Sequence, residues 1–212
     1  MKTYTVLVAD DEPNIVTILS YELRKEGYAV LTANDGQQAL DLAKSQPPDL
    51  IIADVMMPVM DGFDLCRRVK EIPALRAIPF IFLTAKTGQE EQIYGYAVGA
   101  QKYLTKPTKR EQLLKIVNLR LKAAEQARAL FAKKARKFDG DLAVISIFSL
   151  LDMYHIGGWT GSIELRHPDG RSGRIEIRNA EISTCSIDGA GDAGTFPQLL
   201  TWNQGTFSAI HE

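Results

Sequence analysis

Five side chains with oxygen or ammonium groups follow short apolar segments of this sequence. Asp10 and Asp11 follow the first segment, Asp54 the third, Thr84 the fourth and Lys106 the fifth. Three carboxylates gathered at one place repel one another strongly unless a cation lies among them or some are protonated. Oxygen ligands without histidine or cysteine favour a hard ion such as Mg²⁺, which shares its ligand shell readily with a phosphate. A lysine and a threonine hydroxyl would then surround phosphoryl oxygens, and one carboxylate could be the nucleophile that forms an acyl phosphate.

The apolar segments that must position these side chains cover residues 5–9, 29–33, 50–53, 80–83 and 102–104. They are short and rich in β-branched residues, which is typical of strands buried on both faces of a parallel sheet. Stretches with helical spacing of apolar residues lie between them and end at Gly27, Pro47, Pro73 and Gly99. The alternation predicts a five-stranded, doubly wound α/β domain. Because such sheets bind ligands beyond the carboxyl ends of their strands, the reactive side chains are expected to meet there.

Four strings then resemble the receiver domain of two-component response regulators, of the chemotaxis-regulator type with a flavodoxin-like fold. They are VLVADDEPNI, LIIADVMMPVMDG, IPFIFLTA and GAQKYLTKP, and the resemblance covers about residues 1–122. It implies that Asp54 is the phosphoacceptor and that Lys106 contacts the phosphoryl group. It also implies Mg²⁺ binding by Asp10, Asp11, Asp54 and the backbone carbonyl of Met56.

The same resemblance implies a conformational readout. Thr84 would follow the phosphoryl group inward, and Tyr103 would change its rotamer in response. The Lys106–Pro107 bond is expected to be cis, a form that only X-Pro bonds adopt at low cost.

Residues 108–138 contain no glycine or proline and are rich in good helix formers, which predicts that the last receiver helix continues as a long linker helix. Its first half is expected to pack Leu113, Ile116 and Val117 on the receiver. A parallel coiled coil that forms a homodimer is one interpretation of the linker, and a monomeric linker helix is the other. The coiled-coil seam would consist of Leu114, Val117, Leu121, Ala124, Arg128, Phe131, Ala135 and Phe138.

Charge is concentrated in the same region of the chain. Residues 109–137 hold ten Lys or Arg and two Glu, a net +8, whereas the whole chain carries −1. A basic stretch of this kind can bind the phosphate backbone of nucleic acids, although most such runs are solvated faces. The sequence shows no helix-turn-helix, so direct DNA binding is not indicated.

Residues 139–212 predict a small α+β domain. We expect a break at residues 138–141, a helix over 142–154, an antiparallel meander of strands at 162–166, 173–178 and 181–187, a helix over 193–203 and a strand at 205–210. The pattern FDGDLAVISIFSLLDMY, GGWTGSIEL, GRSGRIEIRNAEISTCS and LLTWNQGTFS is similar to the PatA-like N-terminal domain, a module of uncharacterised function. That family implies a role in protein interaction or signalling rather than a known reaction.

Composition is that of an ordinary globular protein, with 45% hydrophobic and 24% charged residues. The longest apolar stretch, residues 142–151, is about half of the roughly 20 residues that a membrane span needs. The beginning of the sequence lacks the pattern of a signal peptide, and the two cysteines lie far apart. These features predict a cytoplasmic protein without membrane contact.

Together these observations predict a response regulator of a phosphorelay that is not an enzyme. A sensor histidine kinase or phosphotransfer protein would phosphorylate Asp54, and the switch would pass through the long helix to a C-terminal module that binds an unknown downstream protein. The alternatives are a nucleic-acid-binding regulator that uses the basic linker helix, and a response regulator with an unrecognised enzymatic output domain.

Overall fold

A computed structural model of the chain describes residues 3–132, 136–157, 159–179, 181–192 and 194–211. The chain divides into two compact units, Met1–Leu121 and Lys122–Glu212. Among the described helices, none is long and apolar enough to span a bilayer.

The first unit alternates strands and helices along the whole of its length. Its strands are β1 (Thr5–Ala9), β2 (Ala29–Ala33), β3 (Leu50–Ala53), β4 (Phe80–Thr84) and β5 (Lys102–Thr105). Its helices are α1 (Pro13–Lys25), α2 (Gly36–Ser45), α3 (Gly62–Glu71), α4 (Gln89–Ala97) and α5 (Arg110–Ala132), the last of which extends past Leu121.

The five strands form one parallel sheet in the order β2-β1-β3-β4-β5. This arrangement confirms the predicted doubly wound, flavodoxin-like sheet. One face of the sheet packs on α1 and α5 through Leu23, Leu113 and Val117. The other packs on α2 and α3 through residues such as Leu40 and Leu65. Both faces are therefore covered, as the continuous apolar character of the strands requires.

The predicted linker helix over 108–138 is wrong at its C-terminal end. Helix α5 ends at Ala132, and Phe138 belongs to a strand, where it is buried in the core of the second unit. Val117 and Leu121 of the predicted coiled-coil seam are buried in the core of the first unit. Ala135 and the side chains of Arg128 and Phe131 lie outside the described residues. Residues of the predicted seam are therefore divided between two hydrophobic cores: Val117 and Leu121 are buried in that of the first unit, and Phe138 is buried in that of the second.

The second unit contains an antiparallel sheet. Its strands are β6 (Lys137–Asp141), β7 (Gly161–Arg166), β8 (Ser172–Arg178), β9 (Glu181–Ile187) and β10 (Thr206–His211), with α6 (Ile147–Gly157) and α7 (Thr195–Leu200) between them. The strand order is β6-β10-β7-β8-β9, so the first and last strands of the unit pair with each other. Alternate residues of β7 and β8, such as Ile163, Leu165 and Ile175, face the core, and polar residues occupy the opposite face.

The predicted meander β7–β8–β9 is confirmed, but two predictions for the second unit are wrong. The segment expected to be a break at residues 138–141 is strand β6, and the helix expected from residue 142 begins at Ile147. Asp139, Gly140 and Asp141 have low strand propensity. Pairing with β10, which buries Phe138, overrides that local preference.

Candidate functional site

Polar side chains from four strands meet at the carboxyl edge of the parallel sheet. Asp10 follows β1, Asp54 follows β3, Thr84 is the last residue of β4 and Lys106 follows β5. Asp10, Asp54 and Thr84 are almost fully buried, with exposed fractions of 2%, 4% and 0%. Buried polar groups must find partners, so their grouping at one edge requires a specific arrangement.

Lys106 joins the two buried aspartates. Its Nζ donates to Asp10 Oδ2 at 2.7 Å and to Asp54 Oδ2 at 2.6 Å. Burial alone would lower the pKa of Lys106, but the hydrogen bonds to Asp10 and Asp54 and the negative charges of these two groups together outweigh burial and raise that pKa. Burial raises the pKa of the Asp10 carboxyl, although the bond from Lys106 acts in the opposite direction. The ammonium therefore stays charged, while ionised Asp10 is held against a desolvation cost.

The backbone around the aspartates fixes their second oxygens. Asp10 Oδ1 accepts from the backbone N–H of Glu12 at 3.0 Å, and Asp54 Oδ1 accepts from that of Met56 at 3.1 Å. The turn after Asp54 closes through a bond from the Gly62 N–H to the Val55 carbonyl. A Cβ at Gly62 would lie 2.0 Å from the backbone oxygen of Asp54, so only glycine permits this close return of the chain. The Lys106–Pro107 bond is cis, as the sequence predicts.

An acidic cluster suited to a cation surrounds Lys106. Carboxylate oxygens of Asp10, Glu12 and Asp54 lie within 4.8 Å of one another, and Glu12 Oε1 is 3.6 Å from Lys106 Nζ. The donors are all oxygens, and three carboxylates face one ammonium group. This excess of negative charge and the all-oxygen donor set fit a hard divalent ion such as Mg²⁺.

Asp11 and Met56, two of the predicted metal ligands, are placed differently from Asp10 and Asp54. Asp11 is exposed and is not a member of this cluster, whereas Glu12, which the sequence prediction omitted, is a member. The signal for Glu12 was present in the run of three consecutive acidic residues, Asp10 to Glu12. Met56 follows Asp54 closely, and its side chain is exposed, so only its backbone is tied to the site through Asp54.

Thr84 and Tyr103 meet at the loop that follows β4. The Thr84 hydroxyl accepts from the Lys86 N–H at 3.3 Å, and the Tyr103 hydroxyl donates to the Lys86 carbonyl at 3.2 Å. The Tyr103 ring lies 5.7 Å from that of Phe82 and is buried, which raises the pKa of Tyr103 to about 12. Both predicted switch residues are thereby connected to one short segment.

A groove lies beside Lys106 at the N-terminal end of α1. Its volume is about 420 Å³, and its walls include Ile15 and Ile18 from α1 and Pro107 after β5. Ile18 and Tyr21 expose 55% and 67% of their surface on the same helix. The reactive edge thus adjoins a partly apolar surface.

The fold and the site together define a doubly wound α/β domain with an acidic cluster, compatible with phosphorylation and Mg²⁺, at the carboxyl edge of its sheet. The family profile of the response regulator receiver domain matches residues 6–118, just over half of the chain. A Bacillus subtilis relative, the alkaline phosphatase synthesis transcriptional regulatory protein, is 33% identical over 196 residues, which cover 88% of this chain and 81% of the relative.

Solved structures give the same result for the first unit. Chemotaxis protein CheY4 of Vibrio cholerae is 39% identical with a TM-score of 0.53, and the match covers 55% of this chain and 98% of that structure. The receiver domain of a Pseudomonas aeruginosa sensor histidine kinase is 32% identical with a TM-score of 0.53, covering 57% and 98%. A magnesium ion is coordinated in the active-site cleft of the latter structure.

The chain belongs to the response regulator receiver family of two-component systems. Its N-terminal unit is a receiver domain whose acidic cluster is compatible with phosphorylation and with Mg²⁺. The match to the family profile ends at residue 118, so the antiparallel sheet of the second unit lies outside it.

Proposed function

We propose that Asp54 accepts a phosphoryl group and that this modification is the signal the protein transmits. The observation that carries the proposal is the buried pair of Asp54 and Lys106, joined at 2.6 Å at the carboxyl edge of the sheet in a receiver domain. A carboxylate oxygen of Asp54 would attack phosphorus in line. The bond from phosphorus to the donor's leaving group would break, which yields an acyl phosphate.

The neighbouring side chains have separate tasks in this proposal. Lys106, held in its charged form, would neutralise the phosphoryl oxygens after they displace it from the carboxylate of Asp54. The Thr84 hydroxyl would bind a phosphoryl oxygen in place of the Lys86 N–H. Because Tyr103 contacts Lys86 from the other side, a shift of this segment would release the Tyr103 hydroxyl and permit its change of rotamer.

Mg²⁺ would be held by Asp10, Asp54 and the Met56 carbonyl, with either Asp11 or Glu12 as a further acidic ligand. When bound, the ion supplies positive charge against the phosphoryl oxygens and the clustered carboxylates. Glu12 already lies in the cluster, whereas Asp11 would have to turn inward from solvent.

The partners follow from this chemistry. A sensor histidine kinase or a phosphotransfer protein is the proposed phosphoryl donor, and the groove beside Lys106 with exposed Ile18 and Tyr21 on α1 supports docking near Asp54. This donor implies a cytoplasmic location. The C-terminal unit, which we propose to be a PatA-like module, would act without an enzymatic reaction by binding a downstream protein.

The proposal is tested by incubating the full chain with acetyl phosphate and Mg²⁺ and resolving the products on a phosphate-affinity gel. We expect a retarded band for the native chain and for Asp41→Ala, which removes an exposed carboxylate on α2. We expect no retarded band for Asp54→Ala. Equal phosphorylation of Asp54→Ala and the native chain would contradict the proposal.

A second candidate function is DNA binding by the basic segment, since the Bacillus subtilis relative is named as a transcriptional regulator. Two of the basic residues are already engaged within the protein, since Arg110 forms an ion pair with Glu26 and Arg120 is buried. A gel-shift titration with duplex DNA at low salt separates the two functions. Binding that weakens steeply with salt would favour DNA, and its absence at low salt would reject it.

A further inference from the structure

A cavity of about 490 Å³ opens on the polar face of the second sheet, beside the hairpin that joins β7 to β8. Three arginines line it, namely Arg166 at the end of β7, Arg171 in the hairpin and Arg174 on β8. The rest of the wall includes small residues such as Ser172 and Gly173, together with Glu164, Leu165 and His167. The small residues leave space above the sheet, and the arginines enclose it.

Two of the arginines are held in place by neighbouring groups. Arg171 Nε donates to Asp169 at 2.8 Å, and its guanidinium carbon lies 5.3 Å from the centre of the Trp202 ring. Arg174 Nη1 donates to Glu164 at 2.9 Å across the strands. Such contacts reduce the conformational entropy that a side chain loses when it binds a ligand, so both groups are preorganised.

These arginines retain unused donors. A guanidinium group carries five N–H donors. Arg171 uses Nε and Nη2 toward Asp169, and Arg174 uses Nε toward Glu176 and Nη1 toward Glu164. Arg166 lies between the small residues Thr206 and Ser172 of the adjacent strands. Within the part of the chain that the structure describes, no carboxylate lies within ion-pair distance of Arg166.

We propose that this cavity is a binding site for a small molecule that carries phosphate groups. Guanidinium groups match the oxygens of phosphate in bidentate geometry, and three of them around one space suit a ligand with several phosphoryl oxygens. The volume lies in the range of small-molecule sites. The site gives the C-terminal unit a ligand of its own, and it does not depend on the phosphorylation of Asp54.

The test is calorimetric titration of the full chain with sodium pyrophosphate, without Mg²⁺ and at constant ionic strength. We expect saturable binding that Arg166→Gln weakens by about tenfold or more, the scale of one lost charged hydrogen bond. Arg178→Gln is the matched control, because Arg178 is an exposed arginine at the end of β8 that does not line the cavity. Arg178→Gln should bind as the native chain does.

Asp54→Ala should also bind pyrophosphate as the native chain does, so failure of this site and failure of the phosphorylation proposal are distinguishable. Four results would overturn the inference. They are no saturable binding, equal affinity in Arg166→Gln and Arg178→Gln, equal affinity for citrate and pyrophosphate, and tighter binding of a DNA duplex than of pyrophosphate. The third would assign the cavity to carboxylates and the fourth to nucleic acid.

Discussion

The ion pairs at the acidic edge of the receiver sheet lie in a different environment from those described in the C-terminal unit, although other receiver pairs, such as Arg110 with Glu26, are exposed. In the receiver domain, the side chains of Asp10, Asp54 and Lys106 are only 2%, 5% and 14% exposed. In the C-terminal unit, the partners in the pairs of Arg171 with Asp169 and Arg174 with Glu164 are 38–53% exposed. An exposed ion pair contributes about 0–1 kcal/mol to folding stability, so its main effect can be to orient the two side chains. A buried cluster costs several kcal/mol in desolvation per ion, so its presence marks the place where charge is used.

The backbone shows the same contrast. Outside glycine, the C-terminal unit adopts positive φ at Asn179 and Asp188, two residue types that tolerate this conformation. The receiver domain adopts it at Val59, with φ of 66°, in the loop that follows Asp54. A β-branched residue is poorly suited to this region, so the receiver stores strain in the loop after Asp54, whereas the described residues of the second unit adopt positive φ at residue types that tolerate it.

The largest effect on stability is expected from Lys106→Ala. Without the ammonium, Asp10 and Asp54 are left as buried neighbours without their shared cation, which should lower the free energy of unfolding by about 3 kcal/mol in the absence of Mg²⁺. Urea denaturation at neutral pH measures the change. Lys44→Ala, which removes an exposed lysine on α2, should have little effect. If both variants lost the same stability, the contrast between buried and exposed charge would fail.

A pair of glycine substitutions separates steric cost from function. A Cβ would lie 2.0 Å from the Asp54 carbonyl oxygen in Gly62→Ala and 2.2 Å from the Cys185 carbonyl oxygen in Gly191→Ala. Each variant should lose about 1–3 kcal/mol of stability, because the backbone must move. Only Gly62→Ala should slow phosphorylation by acetyl phosphate, measured as the rate of appearance of the retarded gel band. A comparable slowing in Gly191→Ala would show that loss of stability, not displacement of Asp54, is the cause.

Asp10→Asn should increase stability at neutral pH, by less than the two effects above. Burial raises the pKa of Asp10 in the folded state, so ionisation of this carboxyl disfavours folding above its unfolded pKa. The gain from Asp10→Asn should therefore be full at neutral pH and vanish as the pH falls and native Asp10 is protonated. Urea denaturation of both proteins without Mg²⁺, from neutral to acidic pH, measures the difference. A gain independent of pH would mean that charge is not its origin.

The smallest effect is expected from Val59→Gly. Relief of the positive φ should raise the free energy of unfolding by up to about 1 kcal/mol, since glycine's larger entropy in the unfolded chain offsets part of the gain. Thermal denaturation should show a higher Tm than for Asn179→Gly, in which the replaced residue already tolerates its conformation. A lower Tm for Val59→Gly would indicate that the exposed Val59 side chain stabilises the loop.

The sequence predicts the receiver domain more completely than the C-terminal unit, for a physical reason. Strands β1 and β3 match their predicted bounds because a strand buried on both faces is apolar throughout, and the partly exposed edge strand β2 also matches its bounds. The sequence predicts a break where strand β6 lies, because its Asp and Gly residues form a strand only through pairing with β10, far along the chain. At the site, residue types and strand ends predict Asp10, Asp54, Thr84 and Lys106. The membership of Glu12, an exposed residue, in the acidic cluster depends on a side-chain direction that spacing does not determine.

The pairing of β6 with β10 has a consequence for synthesis of the protein. Strand β10 lies between β6 and β7 in the sheet, so the strand of this unit that comes latest in the chain is an interior strand. The receiver domain has all of its strands once β5 has left the ribosome, whereas the antiparallel sheet must wait for Thr206–His211. Until β10 is available, Phe138, Ile163 and Ile175 cannot be buried in the complete hydrophobic core, which includes Phe207 and Ala209 of β10. The C-terminal unit is therefore the part of the newborn chain most exposed to proteases and to chaperones.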